Sequence, residues 1–266
     1  ALINTEPEEY NRVVSTCWVP AMRREGDEWE EFIAYEGSLP PVSSLASYDG
    51  FALTGSSCCP LQTDEWVKAL GQWMRAVIAE QEKRPADRPL RLFASCFSCQ
   101  LTAVEFGGKV EQNFIGKYVS KAETIRFRRS FLALPFASAF AQLPPYDGPE
   151  VPSPPTGADP NDDLAECRLA RVWESHGYLV SQLPQGAIRY ADSPSTPNEV
   201  YMMNKDYLAV QGHPEWSLEE MEMFIKKEKL PQEEIDEGLA SIRLPHHCDE
   251  FKDVIRAFLH ADDVRS

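Results

Sequence analysis

Cys96 stands where a short apolar run, Leu90, Leu92, Phe93 and Ala94, gives way after Ser95 to the helical spacing of Phe97, Leu101 and Val104. The run, bounded by Pro89, reads as a buried parallel strand, and Gly107 and Gly108 close the helix that follows. A thiol at such a turn sits on an elbow. The first turn of the helix offers unpaired N–H groups and the positive end of its dipole, which favour thiolate over thiol. The same donors, with one from a neighbouring loop, suit the oxyanion formed when sulfur attacks an amide carbonyl. Such a nucleophile needs a base and a group that orients the base. Gly212-His213-Pro214-Glu215 supplies both far downstream, after an apolar strand that brings His213 to the carboxyl end of the sheet. Glu215 can then accept from the imidazole and fix its tautomer.

Plainer readings exist for the same residues. His213 also reads as a core histidine with its hydrogen bonds satisfied, and Glu215 as a helix-start charge. Cys96 and Cys99 form C-x-x-C at a helix start, a dithiol redox arrangement, although Phe97-Ser98 departs from the Gly-Pro usual between such cysteines. Buried packing is the third reading of these thiols. Cys58-Cys59 and His246-His247-Cys248 lack the spaced pairs of a zinc site, so no metal is expected.

The elements that must position these groups alternate along the chain. Residues 1–3, 32–35 and 51–54 read as strands, the last followed by the small-residue loop Gly55-Ser56-Ser57, and residues 11–21 read as a helix. Trp66, Val67, Leu70, Trp73, Met74 and Val77 mark a packing helix over 64–83. Shorter strands are expected at 109–110 and 124–127, strand-like pattern resumes over 171–183 and 187–191, and 207–211 is the last strand. Ser217 to Glu220 is a capping box, Pro231 a stop, and 251–259 a final amphipathic helix. This alternation predicts an open, mainly parallel α/β sheet flanked by helices, formed by a single domain over residues 1–266. The stretch at about 142–163, rich in Pro, Gly and acids, reads as a surface insertion that suits a protein partner.

Bulk composition narrows the functions. With 266 residues, 43% hydrophobic and 11% aromatic, the chain has globular values, and no apolar run is long enough for a bilayer span. A formal net charge of −16 argues against nucleic acid and anionic membrane surfaces as partners. Seven irregularly spaced cysteines point away from a secreted disulfide framework and towards a reducing compartment, the cytoplasm or an organelle reached after removal of a transit peptide. From the apolar start Ala1-Leu2-Ile3, without a charged segment or a long apolar one, no signal peptide is expected within the sequence.

Ala94-Ser95-Cys96-Phe97-Ser98-Cys99-Gln100 resembles the G-x-C-x-G-x-Q nucleophile elbow of class I glutamine amidotransferases. Val210-Gln211-Gly212-His213-Pro214-Glu215 is similar to their His-Pro-Glu segment, residues 48–56 to the strand and loop that furnish an oxyanion donor, and Glu174-Ser175-His176-Gly177 to their substrate-side Ser-His-Gly stretch. The chain departs from the pattern at Ala94, Ser98 and Cys99. Its start and Glu36-Gly37-Ser38-Leu39-Pro40 resemble the GMP-synthase-like and plant-type γ-glutamyl peptidase branch.

The resemblance implies a flavodoxin-like sheet and a Cys96-His213-Glu215 triad. Backbone N–H groups of Ser56 and Phe97 would form the oxyanion hole, and Gly55, Gln100, Ser175, His176 and Gly177 the substrate site. The expected reaction is hydrolysis of a γ-glutamyl amide, in a γ-glutamyl peptide or glutamine, through a thioester, with no cofactor. The partner is then a small γ-glutamyl substrate. The departures in the elbow also fit a second expectation, an amidotransferase-like pseudoenzyme serving as an interaction or structural subunit.

Overall fold

Five consecutive buried residues, Arg91 to Ser95, put one strand at the centre of the molecule. The computed structural model describes residues 1–143 and 167–261, so most of the Pro-rich stretch lies outside the described residues. In chain order the elements are β1 (Leu2–Asn4), α1 (Glu8–Met22), β2 (Glu31–Ile33), β3 (Gly50–Leu53), α2 (Glu65–Gln81), β4 (Arg91–Ser95), α3 (Phe97–Glu105), β5 (Lys109–Gln112) and β6 (Val119–Phe127). Two one-turn helices, α4 (Arg129–Leu132) and α5 (Ser138–Ala141), precede β7 (Arg168–His176), β8 (Tyr178–Gln182), β9 (Ile188–Asp192), β10 (Val200–Asn204) and β11 (Tyr207–Val210). Helices α6 (Leu218–Lys227), α7 (Gln232–Ser241) and α8 (Cys248–Leu259) follow.

The main sheet runs β2-β1-β3-β4-β11-β10-β9-β6-β7, and β5 pairs with β8 in a separate ribbon. Strands β2, β1, β3, β4 and β11 are mutually parallel, whereas β10, β9, β6 and β7 extend the sheet antiparallel. The parallel half is the helix-flanked α/β sheet expected from the alternation of strands and helices, with the flavodoxin-like order that the resemblance implies. Side chains alternate across it as a pleated strand requires. Phe93 joins Leu2, Ala52 and Leu208 in one core under Trp18, Phe251 and Phe258 of α1 and α8. Leu92 and Ala94 face the other core with Leu53, Ala209 and the α2 residues Leu70, Trp73 and Met74.

Several elements differ from their sequence reading: Ala34 and Tyr35, read as the end of a strand, form a 3-10 turn after β2, and α4 and α5 carry no sequence signal long enough to mark them. β6 extends well before residue 124 and pairs with β7 from Val119 opposite His176 to Phe127 opposite Arg168. Its charges hid it: Glu123 and Arg126 are buried, the first accepting from Ser195 Oγ at 2.6 Å and the second paired with Asp192 at 2.8 Å. β10 escaped because five residues beside a Pro-rich loop carry little periodicity. Pro231, read as a stop, caps the start of α7, a helix too acidic to show an apolar stripe. The capping box is formed as read, with Ser217 and Glu220 bonded reciprocally.

Candidate active site

β4 ends on Ser95, and the chain turns at Cys96 into α3 with φ 43° and ψ −109°. This backbone is disfavoured for a residue with a Cβ and persists only where the surroundings over-determine it. Here Cys96 N–H donates to the Val210 carbonyl at 2.8 Å, which ties the elbow to the end of β11. The turn projects the thiol over the carboxyl ends of the parallel strands, where sites lie in open α/β sheets.

β11 then delivers the second part. Past Val210 the chain turns back at Gly212, and His213 N–H donates to the Trp173 carbonyl of β7 at 2.8 Å. His213 Nδ1 lies 2.8 Å from Glu215 Oε1, whose other contacts include Ser95 Oγ at 3.4 Å. Cys96, His213 and Glu215 are all buried. Burial alone would lower the proton affinity of the imidazole, but Glu215 and Cys96 outweigh it and push His213 up to about 10.

Gly55 closes the group from the third strand. A Cβ there would come within 2.6 Å of His213 Cε1 and 3.2 Å of Cys96 Cβ, so only glycine leaves room for both. The loop beyond it is pinned to the end of β1: Thr5 Oγ1 donates to the Gly55 carbonyl at 2.7 Å, Ser56 Oγ to the Thr5 carbonyl at 2.8 Å, and Ser57 N–H to Glu6 Oε2 at 3.0 Å. Phe97 is the first residue of α3, a position whose N–H has no partner within its own helix, and its ring stacks on Trp66 at 5.5 Å.

Gln100 is buried and its Nε2 donates to the Tyr178 carbonyl at 2.7 Å and to Gln211 Oε1 at 2.9 Å. Gln211 Nε2 in turn points at Cys96 Sγ from 3.4 Å. Ser175 turns its carbonyl to Cys96 Sγ at 3.8 Å and its hydroxyl to Tyr118 at 3.0 Å, and Gly177 packs against the Tyr118 ring. His176 points inward instead. Its Nδ1 faces the Tyr178 carbonyl at 3.0 Å and its Nε2 lies 3.5 Å from Glu174, and burial pushes it down to about 3. Glu174 and Glu199 are both fully buried, and that burial, reinforced for Glu174 by the charge of Glu199, raises Glu174 well above the carboxylate range and Glu199 to about 8.

The positions that depart from the amidotransferase pattern, Ala94, Ser98 and Cys99, are all buried. Ser98 Oγ donates to the Thr54 carbonyl at 2.7 Å, binding α3 to β3, and Ala94 is a buried strand residue opposite Leu53 and Ala209. Cys99 is fully buried, and desolvation raises its thiol well above its ordinary value. Sequence reasoning gave no role to Gln211, Ser95 or Trp216. Gln211 was legible as part of the quoted His-Pro-Glu segment, whereas nothing local in sequence marks the indole of Trp216, which stacks on His213. No group of His, Cys, Asp and Glu among the described residues is arranged to hold a metal. A cleft of about 790 Å³ lined by Asp27, Trp29, Glu30, Tyr48 and His260 lies at the opposite, amino end of β1 and β3 and shares no residue with this cluster.

Fold and cluster together define an α/β protein with a cysteine elbow. The glutamine amidotransferase class-I family matches residues 81–231, more than half of the chain, and the chain belongs to that family. Among curated proteins it is similar to gamma-glutamyl peptidase 4 of Arabidopsis thaliana, with 26% identity over 75% of this chain and 66% of the relative. Gamma-glutamyl peptidase 3 of the same plant is 24% identical over 76% of this chain and 68% of the relative. The chain thus spans about two thirds of the length of these relatives. A glutamine amido transferase from Methylobacillus flagellatus superposes with a TM-score of 0.65 at 14% identity, covering 98% of this chain and 94% of that one. One from Thermotoga maritima gives 0.62 at 14% identity over 100% and 97%. These likenesses show the fold. Among the described residues, no helix is long and apolar enough to cross a membrane.

Proposed function

We propose that the chain is a cysteine hydrolase of γ-glutamyl amide bonds. The observation that carries the reading is the convergence of Cys96, at φ 43° on its elbow, with a His213 held 2.8 Å from Glu215. Proton transfer from sulfur to His213 gives the thiolate, which attacks the γ-carbonyl carbon. The carbonyl oxygen becomes an oxyanion facing the N–H groups of Phe97 and Ser56. Collapse breaks the C–N bond, His213 gives its proton to the departing amine, and a glutamyl thioester remains on Cys96. Water then attacks the thioester with His213 as base, and glutamate and the free thiol are released. Glu215 keeps the imidazole in the tautomer that presents Nε2 to sulfur and substrate.

The similarity to gamma-glutamyl peptidases supports a peptide substrate over free glutamine as ammonia source. Acid quenching during turnover of a γ-glutamyl peptide, followed by peptide mass analysis, tests the intermediate. A glutamyl adduct on the Cys96 peptide is expected, and its absence under conditions of steady turnover would remove the thioester step.

A further inference from the structure

The imidazole of His213 and the indole of Trp216 lie face to face, with centroids 3.7 Å apart and planes 9° from parallel. Glu215 restrains that imidazole only at its edge, through Nδ1. Hydrogen bonds at the ring's edge, with Glu215 and Cys96, fix its direction, whereas the tilt of its plane is set by what lies against its faces. The indole itself is fixed. Trp216 is 6% exposed, its carbonyl accepts from Trp173 Nε1 at 3.1 Å, and its other face stacks on Phe224 of α6 at 4.2 Å and 26°. Phe224 leans in turn on Tyr10 of α1 at 6.2 Å, and Lys227 Nζ covers the Tyr10 ring at 5.1 Å. The column therefore runs from the candidate site through α6 to α1.

We propose that Trp216 is a positioning residue for His213: its indole face sets the plane of the imidazole and stabilises the imidazolium formed when the ring takes the proton of Cys96. The inference rests on the hydrolase reading only for its catalytic consequence. Its physical basis is the attraction of a desolvated cation to an aromatic face, strongest for Trp. The titratable and charged groups around His213 are few. Glu215 lies on its own loop, Cys96 on the elbow, His176 and Glu174 on β7, and Cys17 of α1 and Cys248 of α8 lie towards Glu215. Glu220 of α6 sits beyond Cys17. None of these is changed by a substitution at position 216, and lost burial would raise the His213 midpoint, so a fall reports loss of the indole face.

The test is an NMR titration of His213 in protein carrying ring-labelled histidine, the signal being assigned with His213→Gln, in the wild type, Trp216→Phe and Trp216→Leu. The His213 midpoint should fall by about 0.5–1 pH unit in Trp216→Leu and by less in Trp216→Phe, which keeps a smaller aromatic face. Alkylation of Cys96 by iodoacetamide at neutral pH should slow in the same order, by about three- to tenfold in Trp216→Leu, because proton transfer to the ring is less favourable. A midpoint within about 0.2 unit of the wild type in a folded variant would overturn the proposal. If Trp216→Leu does not fold, Trp216→Phe decides by the same criterion. Neither readout requires glutamate release, so failure here is distinct from failure of the hydrolase reading.

Discussion

Gly55 and His213 are in contact across the candidate site: a Cβ on the glycine would meet the imidazole Cε1 at 2.6 Å. Neither neighbour can retreat easily, because His213 is held by Glu215 on its edge and Trp216 on its face, and Gly55 is tied to Thr5. Gly55→Ala should therefore displace the imidazole without unfolding the protein. Displacement by a fraction of an ångström to 1 Å lowers turnover by on the order of 10²-fold. Steady-state kinetics beside a thermal melt check this, and unchanged kcat in the variant would show that the contact is not part of the machinery.

Ser98 occupies a place where the family pattern has glycine, and its hydroxyl binds the Thr54 carbonyl at 2.7 Å. Restoring glycine removes a buried hydrogen bond worth about 1 kcal/mol and places Gly in a helix at a further cost of about 1 kcal/mol. Ser98→Gly should thus lose about 2 kcal/mol in urea unfolding while Cys96 stays reactive to iodoacetamide. A variant as stable as the wild type would mean that the hydroxyl contributes nothing to the α3–β3 link.

Cys99 follows from burial. With its thiol fully enclosed and its thiolate disfavoured, it takes no part in the proposed chemistry. Cys99→Ala should lower stability by about 1 kcal/mol through lost packing and leave Cys96 alkylation within about threefold of the wild type. Loss of Cys96 reactivity in that variant would return the dithiol arrangement to consideration.

Glu199 links the interior to pH. Burial raises its folded value from the ordinary 4.5 to about 8, so between those limits the folded state binds more protons than the unfolded one. Stability contributed by the neutral acid is complete below about pH 4.5 and is lost as pH rises through 8. His213, raised from 6.5 to about 10, acts with the same sign over its own higher window. Glu199→Gln should flatten the fall between pH 5 and 8.5 by at least about 1 kcal/mol, the worth of one pKa unit. Urea midpoints across that range measure it, and parallel curves for variant and wild type would contradict it.

A feature is legible in the sequence where its signal is local. β4 and its elbow were readable because a short apolar run, a cysteine and a helical spacing adjoin in sequence, and the α6 cap because Ser217 and Glu220 are three residues apart. The sequence shortens β6 because Glu123 and Arg126 look like surface charges until Ser195 and Asp192 meet them across the sheet. The stacking of Trp216 and the placing of Gln211 beside Cys96 Sγ are likewise tertiary facts. The inward turn of His176 follows from strand alternation in β7, which the Ser-His-Gly stretch alone did not disclose.

The most direct test is glutamate release by the purified protein from a γ-glutamyl peptide and, separately, from glutamine, each compared with Cys96→Ala. Release should exceed the variant's by at least about 10³-fold, with the peptide preferred. Release from neither substrate above the Cys96→Ala background would contradict the hydrolase reading.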